Sequence, residues 1–182
     1  MKYLVYILTG AILLSACSRS SFNEELATVD SLITEYNQLK IVVDSMPIKN
    51  VKEYFIDYND FFEETKKQIV KIETKDLKDL SFMDAFKGVK KGFKNFDKKQ
   101  AKLQKKINRN ITELNNLKTD LEHNIHTKQL TKRYIQEERK ELLQLVTTHN
   151  KYLKIVKQQK ATLDSLKIII PIKIENLNHE VH

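Results

Sequence analysis

From Phe93 to Ile170 the chain contains neither glycine nor proline, and through this stretch apolar side chains return every three or four positions. A backbone free of kinking residues and carrying a seven-residue apolar period is best satisfied by long helices that bury a narrow seam against one another. Phe82, Phe86, Val89, Phe93, Phe96, Leu103, Ile107, Leu114, Leu117 and Leu121 fill the two seam positions, with Gln100 and Asn110 as polar exceptions. The same register resumes at Ile135, Leu142, Leu145, Tyr152, Val156, Leu163 and Leu166. Between the two runs, Asn124, Lys128, Thr131 and Glu138 occupy the seam, and His123-Asn124-Ile125-His126-Thr127 forms helix weakly. Either the chain turns back between residues 122 and 131 into an antiparallel partner, or one helix of roughly 130 Å runs from Ser81 to Leu166. Burial of the seam within one chain favours the hairpin.

Two shorter helices precede this region. Ser21-Phe22-Asn23-Glu24 is a capping box, in which a hydroxyl and a carboxylate each satisfy an orphan amide of the first turn. Phe22, Leu26, Val29, Ile33, Tyr36 and Val43 then repeat at helical spacing, and Leu32, Leu39 and Val42 widen the stripe. This helix spans 22–46 and stops before Pro47, since the residue preceding a proline avoids the helical region. Asn50-Val51-Lys52-Glu53 opens a second helix over 50–74, with Val51, Tyr54, Phe55, Tyr58, Phe61, Phe62, Ile69 and Ile72 on one face. An aromatic stripe of this spacing serves either as a ligand groove or as core, and the large area each ring buries favours core. Helices over 82–124 and 130–168 complete a helical bundle or coiled coil spanning 22–170. With three glycines, two prolines and no tryptophan in 182 residues, turns are scarce, so the expected fold is all-α: an elongated antiparallel bundle or coiled-coil hairpin.

Residues 171–182 are expected to form an extended or frayed tail. Ile168-Ile169-Ile170-Pro171-Ile172-Lys173-Ile174 is β-branched, and Pro171 opposes helix continuation. The segment could fold back on the bundle or add as a strand to a partner's sheet.

Charge is distributed unevenly. Residues 22–46 carry a net −4 and residues 51–74 a net −2, whereas 84–109 carry +8 of a whole-chain +8. The basic side chains are Lys87, Lys90, Lys91, Lys94, Lys98, Lys99, Lys102, Lys105, Lys106 and Arg109, and none is on the seam. They form either a solvated face partly neutralised by the two acidic helices or a stripe for an anionic partner. His123 and His126, and likewise His179 and His182, stand three apart, but no nearby cysteine or carboxylate motif supports a metal site. His149 is read as a polar residue in the core.

The first residues set the solvent for all of this. Lys2 begins a positive n-region, and Tyr3 to Leu14 is an apolar run of 12 residues, short of the ~20 a spanning helix requires. It closes on Leu14-Ser15-Ala16-Cys17, which resembles the lipobox of bacterial lipoprotein precursors. That resemblance implies a cleaved signal peptide over 1–16, a diacylglycerol on the Cys17 sulfur, usually an acyl chain (commonly palmitate) on its amine, and a short acylated tether over 17–21. It also implies a cell-envelope address. Ser18, in place of the aspartate that commonly retains lipoproteins at the inner membrane, favours the outer membrane, facing the periplasm. Cys17 is the only cysteine, so an exported chain of this sequence has no internal disulfide. The major outer-membrane lipoprotein shares the lipobox and heptads but joins peptidoglycan through a terminal lysine, whereas this chain ends Glu180-Val181-His182.

The sequence carries no Gly-rich phosphate loop, nucleophile elbow or paired metal motif, so no enzyme and no cofactor beyond the covalent lipid are expected. The expected role is a tether, spacer or docking element held at a membrane, with a protein or anionic envelope polymer as possible partner, no nucleic acid, and homo-oligomers open. The alternative is a holdase for anionic polymers or exported polypeptides, similar in character to the basic helical periplasmic chaperones. In the tether reading, the first two helices pack on the membrane-near half of the stalk, and the turn near 122–131 is presented some tens of ångströms from the lipid.

Overall fold

The computed structural model describes residues 22–46, 48–70 and 82–180. Among them the architecture is an all-α bundle: α1 (Asn23–Asp44), α2 (Ile48–Val70), α3 (Phe82–Phe93), α4 (Phe96–Glu122) and α5 (Lys128–Glu180). The signal segment, the tether with Cys17, Pro47, residues 71–81 and the last two residues lie outside the described residues. The chain divides into two compact units.

The first unit comprises residues 22–42 and Gln104–Leu145. Here the hairpin is the observed solution. α4 ends in a Schellman motif: the Ile125 amide donates to the Asp120 carbonyl at 2.9 Å and the Asn124 amide to Leu121 at 3.1 Å. Asn124 takes the left-handed conformation this requires (φ 54°), which asparagine tolerates. Thr127 caps α5 by accepting the Leu130 amide on its hydroxyl, and the chain returns antiparallel. Thr131 and Glu138, which look like seam failures, are instead buried and half-buried on the seam.

α1 joins this hairpin as a third helix. In this unit its buried positions are Glu25, Val29, Leu32, Tyr36 and Leu39, with Phe22 buried just before it; Leu32 and Leu39 of the expected stripe are thus on the inner face, whereas Glu25 is buried there and Leu26 and Ile33 are only half-buried and Val42 exposed. Asp30 pairs with Lys118 at 2.7 Å, and the Asn110 amide donates to the Tyr36 hydroxyl at 2.9 Å. These two contacts make α1 antiparallel to α4. The N-terminal end of α1 therefore lies beside the 123–127 turn. For the first helix this reverses the expected arrangement, in which both early helices flank the half of the stalk remote from the turn; α2 does belong with that half, in the second unit.

The second unit comprises the described residues of Val43–Leu103 and Val146–His182. Its core is aromatic. Phe86 is fully buried and meets Tyr58, Phe61 and Phe62 at ring-centroid distances of 5.9, 5.6 and 5.2 Å. The stripe on α2 is thus part of the core, with Val51 and Tyr58 buried and Tyr54, Phe55, Phe61, Phe62 and Ile69 half-buried against it. Leu163, Leu166, Ile170 and Ile174 close the same core from α5. At the end of α1, the Gln100 amide donates to the Val43 carbonyl at 2.7 Å, adding a second donor to a helix-end carbonyl that also accepts the Met46 amide at 3.3 Å.

Two expectations fail in this unit. The helix expected over 82–124 is broken at Lys94-Asn95, where Asn95 is left-handed (φ 61°) and its carbonyl then accepts the Lys99 amide to start α4. The seam survives the break because Phe93 and Phe96 remain three apart and buried. The extended tail expected from 171 is also absent: α5 runs through Pro171 to Glu180. Pro171 points to solvent, so the hydrogen bond it deletes is on the wet side, while Ile170 and Ile174 hold both flanking turns in the core.

Gly92 is where α3 comes closest to α5: a Cβ there would meet the Gln159 Cγ at 2.3 Å, while one on Gly88 would find Gln159 Oε1 at an ordinary 3.9 Å. We expect Gly92→Ala to destabilise the protein by about 1–3 kcal/mol through overpacking. Gly88→Ala should instead stabilise it by about 0.5–1 kcal/mol through helix propensity. Urea denaturation followed by circular dichroism measures both.

Candidate functional site

The ten basic residues do not form one equivalent set. Lys87, Lys90, Lys91, Lys94, Lys98, Lys99 and Lys102 belong to the second unit, and Lys105, Lys106 and Arg109 to the first. Several are already engaged. Lys87 pairs with Asp84 and Arg109 with Glu113, each at 2.8 Å; Lys106 reaches Glu141 at 3.9 Å; Lys99 stands 5.8 Å from the Tyr152 ring centroid. That leaves Lys105 in the first unit and Lys90, Lys91, Lys94, Lys98 and Lys102 in the second, all exposed and without an ion-pair partner among the described residues.

Among the described residues none of these lysines forms an ion pair with an acid of α1 or α2. The acids of α1 and α2 that pair across helices go elsewhere: Asp30 to Lys118 and Asp57 to Lys167. The reason is rotational. Gly92 faces α5, and Phe86, Val89 and Phe93 face the core; at 100° per residue Lys90 and Lys91 fall on the remaining outer side of α3. Lys98 and Lys102 are one turn apart on the outer side of α4. The result is five exposed cations within thirteen residues.

The first unit contains a feature that sequence reasoning did not single out. A groove of about 770 Å³ runs along α4 and α5, with Glu113, Glu138, Glu141, Asp120, His126 and Tyr134 in its walls. Two of its lining residues, Asn110 and Glu138, meet the buried Tyr36 hydroxyl, which accepts from the Asn110 amide and lies 3.0 Å from the Glu138 carbonyl and 3.2 Å from its carboxylate, to either of which it can donate. Burial, reinforced by Glu113 and Glu141, raises the Glu138 carboxyl above the usual range, against the Tyr36 hydrogen bond. Burial likewise drives the Tyr36 phenol upward, so it stays protonated. The clue in the sequence was three polar residues, Tyr36, Asn110 and Glu138, at inward positions of three different helices.

The histidines do not converge. The His126 ring bonds to Asp120 at 3.0 Å and meets Tyr134 edge-on, whereas His123 turns to the Thr119 carbonyl at 2.8 Å. The His179 side chain and His182 lie outside the described region. Among the described residues no three His, Cys, Asp or Glu side chains gather closely enough to hold a metal ion. His149 is buried in the second unit with Nδ1 unpartnered among the described residues, and burial lowers its pKa. Among the described residues no helix is long and apolar enough to cross a membrane. No family model, curated protein or solved structure matches the chain.

Glu138 and His149 respond to pH with opposite sign. A carboxyl raised in the folded state stabilises fully below its unfolded value, about 4.3, and that contribution is lost as pH rises through the folded value. Glu138→Gln should therefore raise the melting temperature at neutral pH, with the gain vanishing below about pH 4. A histidine lowered in the folded state costs stability as pH falls through about 6.5. His149→Leu should remove that acid-side loss. Melting curves across pH for the three proteins check both signs.

Proposed function

We propose that this chain is a non-catalytic, lipid-anchored helical protein of a bacterial envelope, acting as a tether, spacer or docking element. The observation that supports this reading is the sequence Leu14-Ser15-Ala16-Cys17 at the end of a short apolar leader, with the only cysteine of the chain five residues before Phe22. A thioether-linked diacylglycerol together with an amide-linked acyl chain anchors stably, because each buried CH₂ contributes about 0.8 kcal/mol and a single chain is marginal. Confinement to a membrane raises the effective concentration of whatever the helical part touches, which is how a protein without a reaction centre can act. Ser18 after the cysteine favours the outer membrane, facing the periplasm.

The anchor is tested by growing a bacterial host that expresses the full chain with an alkyne-bearing palmitate analogue, then measuring the intact mass of the purified protein. The mature product should begin at Cys17 with both lipid modifications. Cys17→Ser should be unlabelled and leave the membrane fraction. A chain that retains its leader and a free, alkylatable thiol overturns the reading.

A second reading, a basic binding protein or holdase for anionic envelope polymers or exported polypeptides, is favoured by Lys90, Lys91, Lys94, Lys98 and Lys102 standing exposed and unpaired among the described residues. Contacts of this kind weaken as salt shortens the Debye length from about 10 Å at 0.1 M. Binding of lipopolysaccharide or an unfolded outer-membrane polypeptide should fall with salt, and replacing the five lysines by glutamine should abolish both the binding and its salt dependence. Unchanged binding by that variant eliminates the reading.

A further inference from the structure

We infer that the 123–127 turn is the membrane-facing end of the first unit, with Ile125 resting on the lipid surface that holds the anchor. This rests on the lipid-anchor reading and adds an orientation to it. The register comes from α1. Tyr36 is level with Asn110 on α4 and with Glu138 on α5. Stepping from Tyr36 back to Phe22, the first described residue, covers about 21 Å of helix. The same number of steps from Asn110 toward the C-terminus, or from Glu138 toward the N-terminus, arrives at Asn124. The start of α1 and the turn therefore lie at one level.

Five residue steps separate Phe22 from Cys17, and they reach at most about 18 Å even when fully extended. At the opposite end of the unit, Lys40 lies a further 27 Å or so along α1 from Phe22. An acylated Cys17 thus reaches the level of the turn easily and that of Lys40 and Lys105 only by exceeding its own contour. The turn presents a suitable side chain: Ile125 is 63% exposed, with nothing in its own unit covering it. Lys128 and Lys132 are exposed beside it, but so are Glu24 and Glu122, so the contact is made by an apolar tip at the headgroup boundary and not by net charge.

The acylated sulfur makes the test direct, because an added cysteine is then the only free thiol. The full chain carrying Ile125→Cys, Gln129→Cys or Lys105→Cys, each at an exposed position, is purified in lipidated form, spin-labelled and reconstituted into phosphatidylethanolamine and phosphatidylglycerol vesicles. Power saturation with oxygen and with a water-soluble nickel chelate reads the depth of each label. Labels at 125 and 129 should show a several-fold higher oxygen-to-nickel accessibility ratio than the label at 105. Equal ratios at all three positions, whether all wet or all protected as in a unit lying flat, overturn the inference, as does greater protection at 105. The intact mass of each sample separates the two levels of the proposal. Acylated protein with a wet turn removes only the orientation, whereas unacylated protein removes the anchor and the orientation with it.

Discussion

Burial of a seven-residue seam is the condition every helix here has to meet, and it is met more strictly than apolar residues alone would require. On α3 and α4 twelve successive seam positions are buried, including Gln100 and Asn110. A polar side chain kept at such a position has to find a partner, because an unpaired one carries a desolvation cost of about 1–3 kcal/mol. Asn110 finds Tyr36, and the Gln100 amide nitrogen finds the Val43 carbonyl, while the glutamine's Oε1 is buried without a partner among the described residues. Both partners come from α1. The polar exceptions therefore help fix where the first helix lies and in which register, something Leu against Leu does not specify by itself.

That division explains what could be read in advance. The seam from Phe82 to Leu121, the aromatic core on α2 and the return of the chain near residue 124 follow from periodicity, ring spacing and weak helix formers. The direction and register of α1 do not follow, because its wide stripe includes Leu26 and Ile33 alongside Leu32 and gives no sign that Glu25 is buried. The choice is made by the hydroxyl of Tyr36 and by the ion pair of Asp30 with Lys118, long-range contacts with no local signature. Breaks are equally hidden. Asn95 looks like any polar helix-surface residue until its backbone is seen to be left-handed, and Pro171 reads as a terminator until the burial of Ile170 and Ile174 on either side outweighs one missing bond.

The candidate site was legible as composition but not as geometry. Ten basic residues between 87 and 109 are plain in the sequence, yet which of them stay unpaired depends on rotation about α3 and α4. Acids at i,i+3 or i,i+4 take Lys87 and Arg109, and Glu141, on the neighbouring helix, approaches Lys106. The buried trio of Tyr36, Asn110 and Glu138 was hidden for a different reason: its members are 28 to 102 residues apart and look unremarkable one at a time.

The unpaired lysines carry an energetic implication. Lys98 and Lys102 are like charges one turn apart, a spacing that destabilises a helix by about 0.2–0.5 kcal/mol, and Lys90, Lys91 and Lys94 stand close before them on the outer side. The chain has acids enough to offset this, but Asp30 and Asp57 hold Lys118 and Lys167. Since an exposed pair contributes little in any case, leaving the row unpaired costs the fold little, while a multivalent anion lying along it would relieve several repulsions at once. The repulsion is thus small enough for the bundle to tolerate.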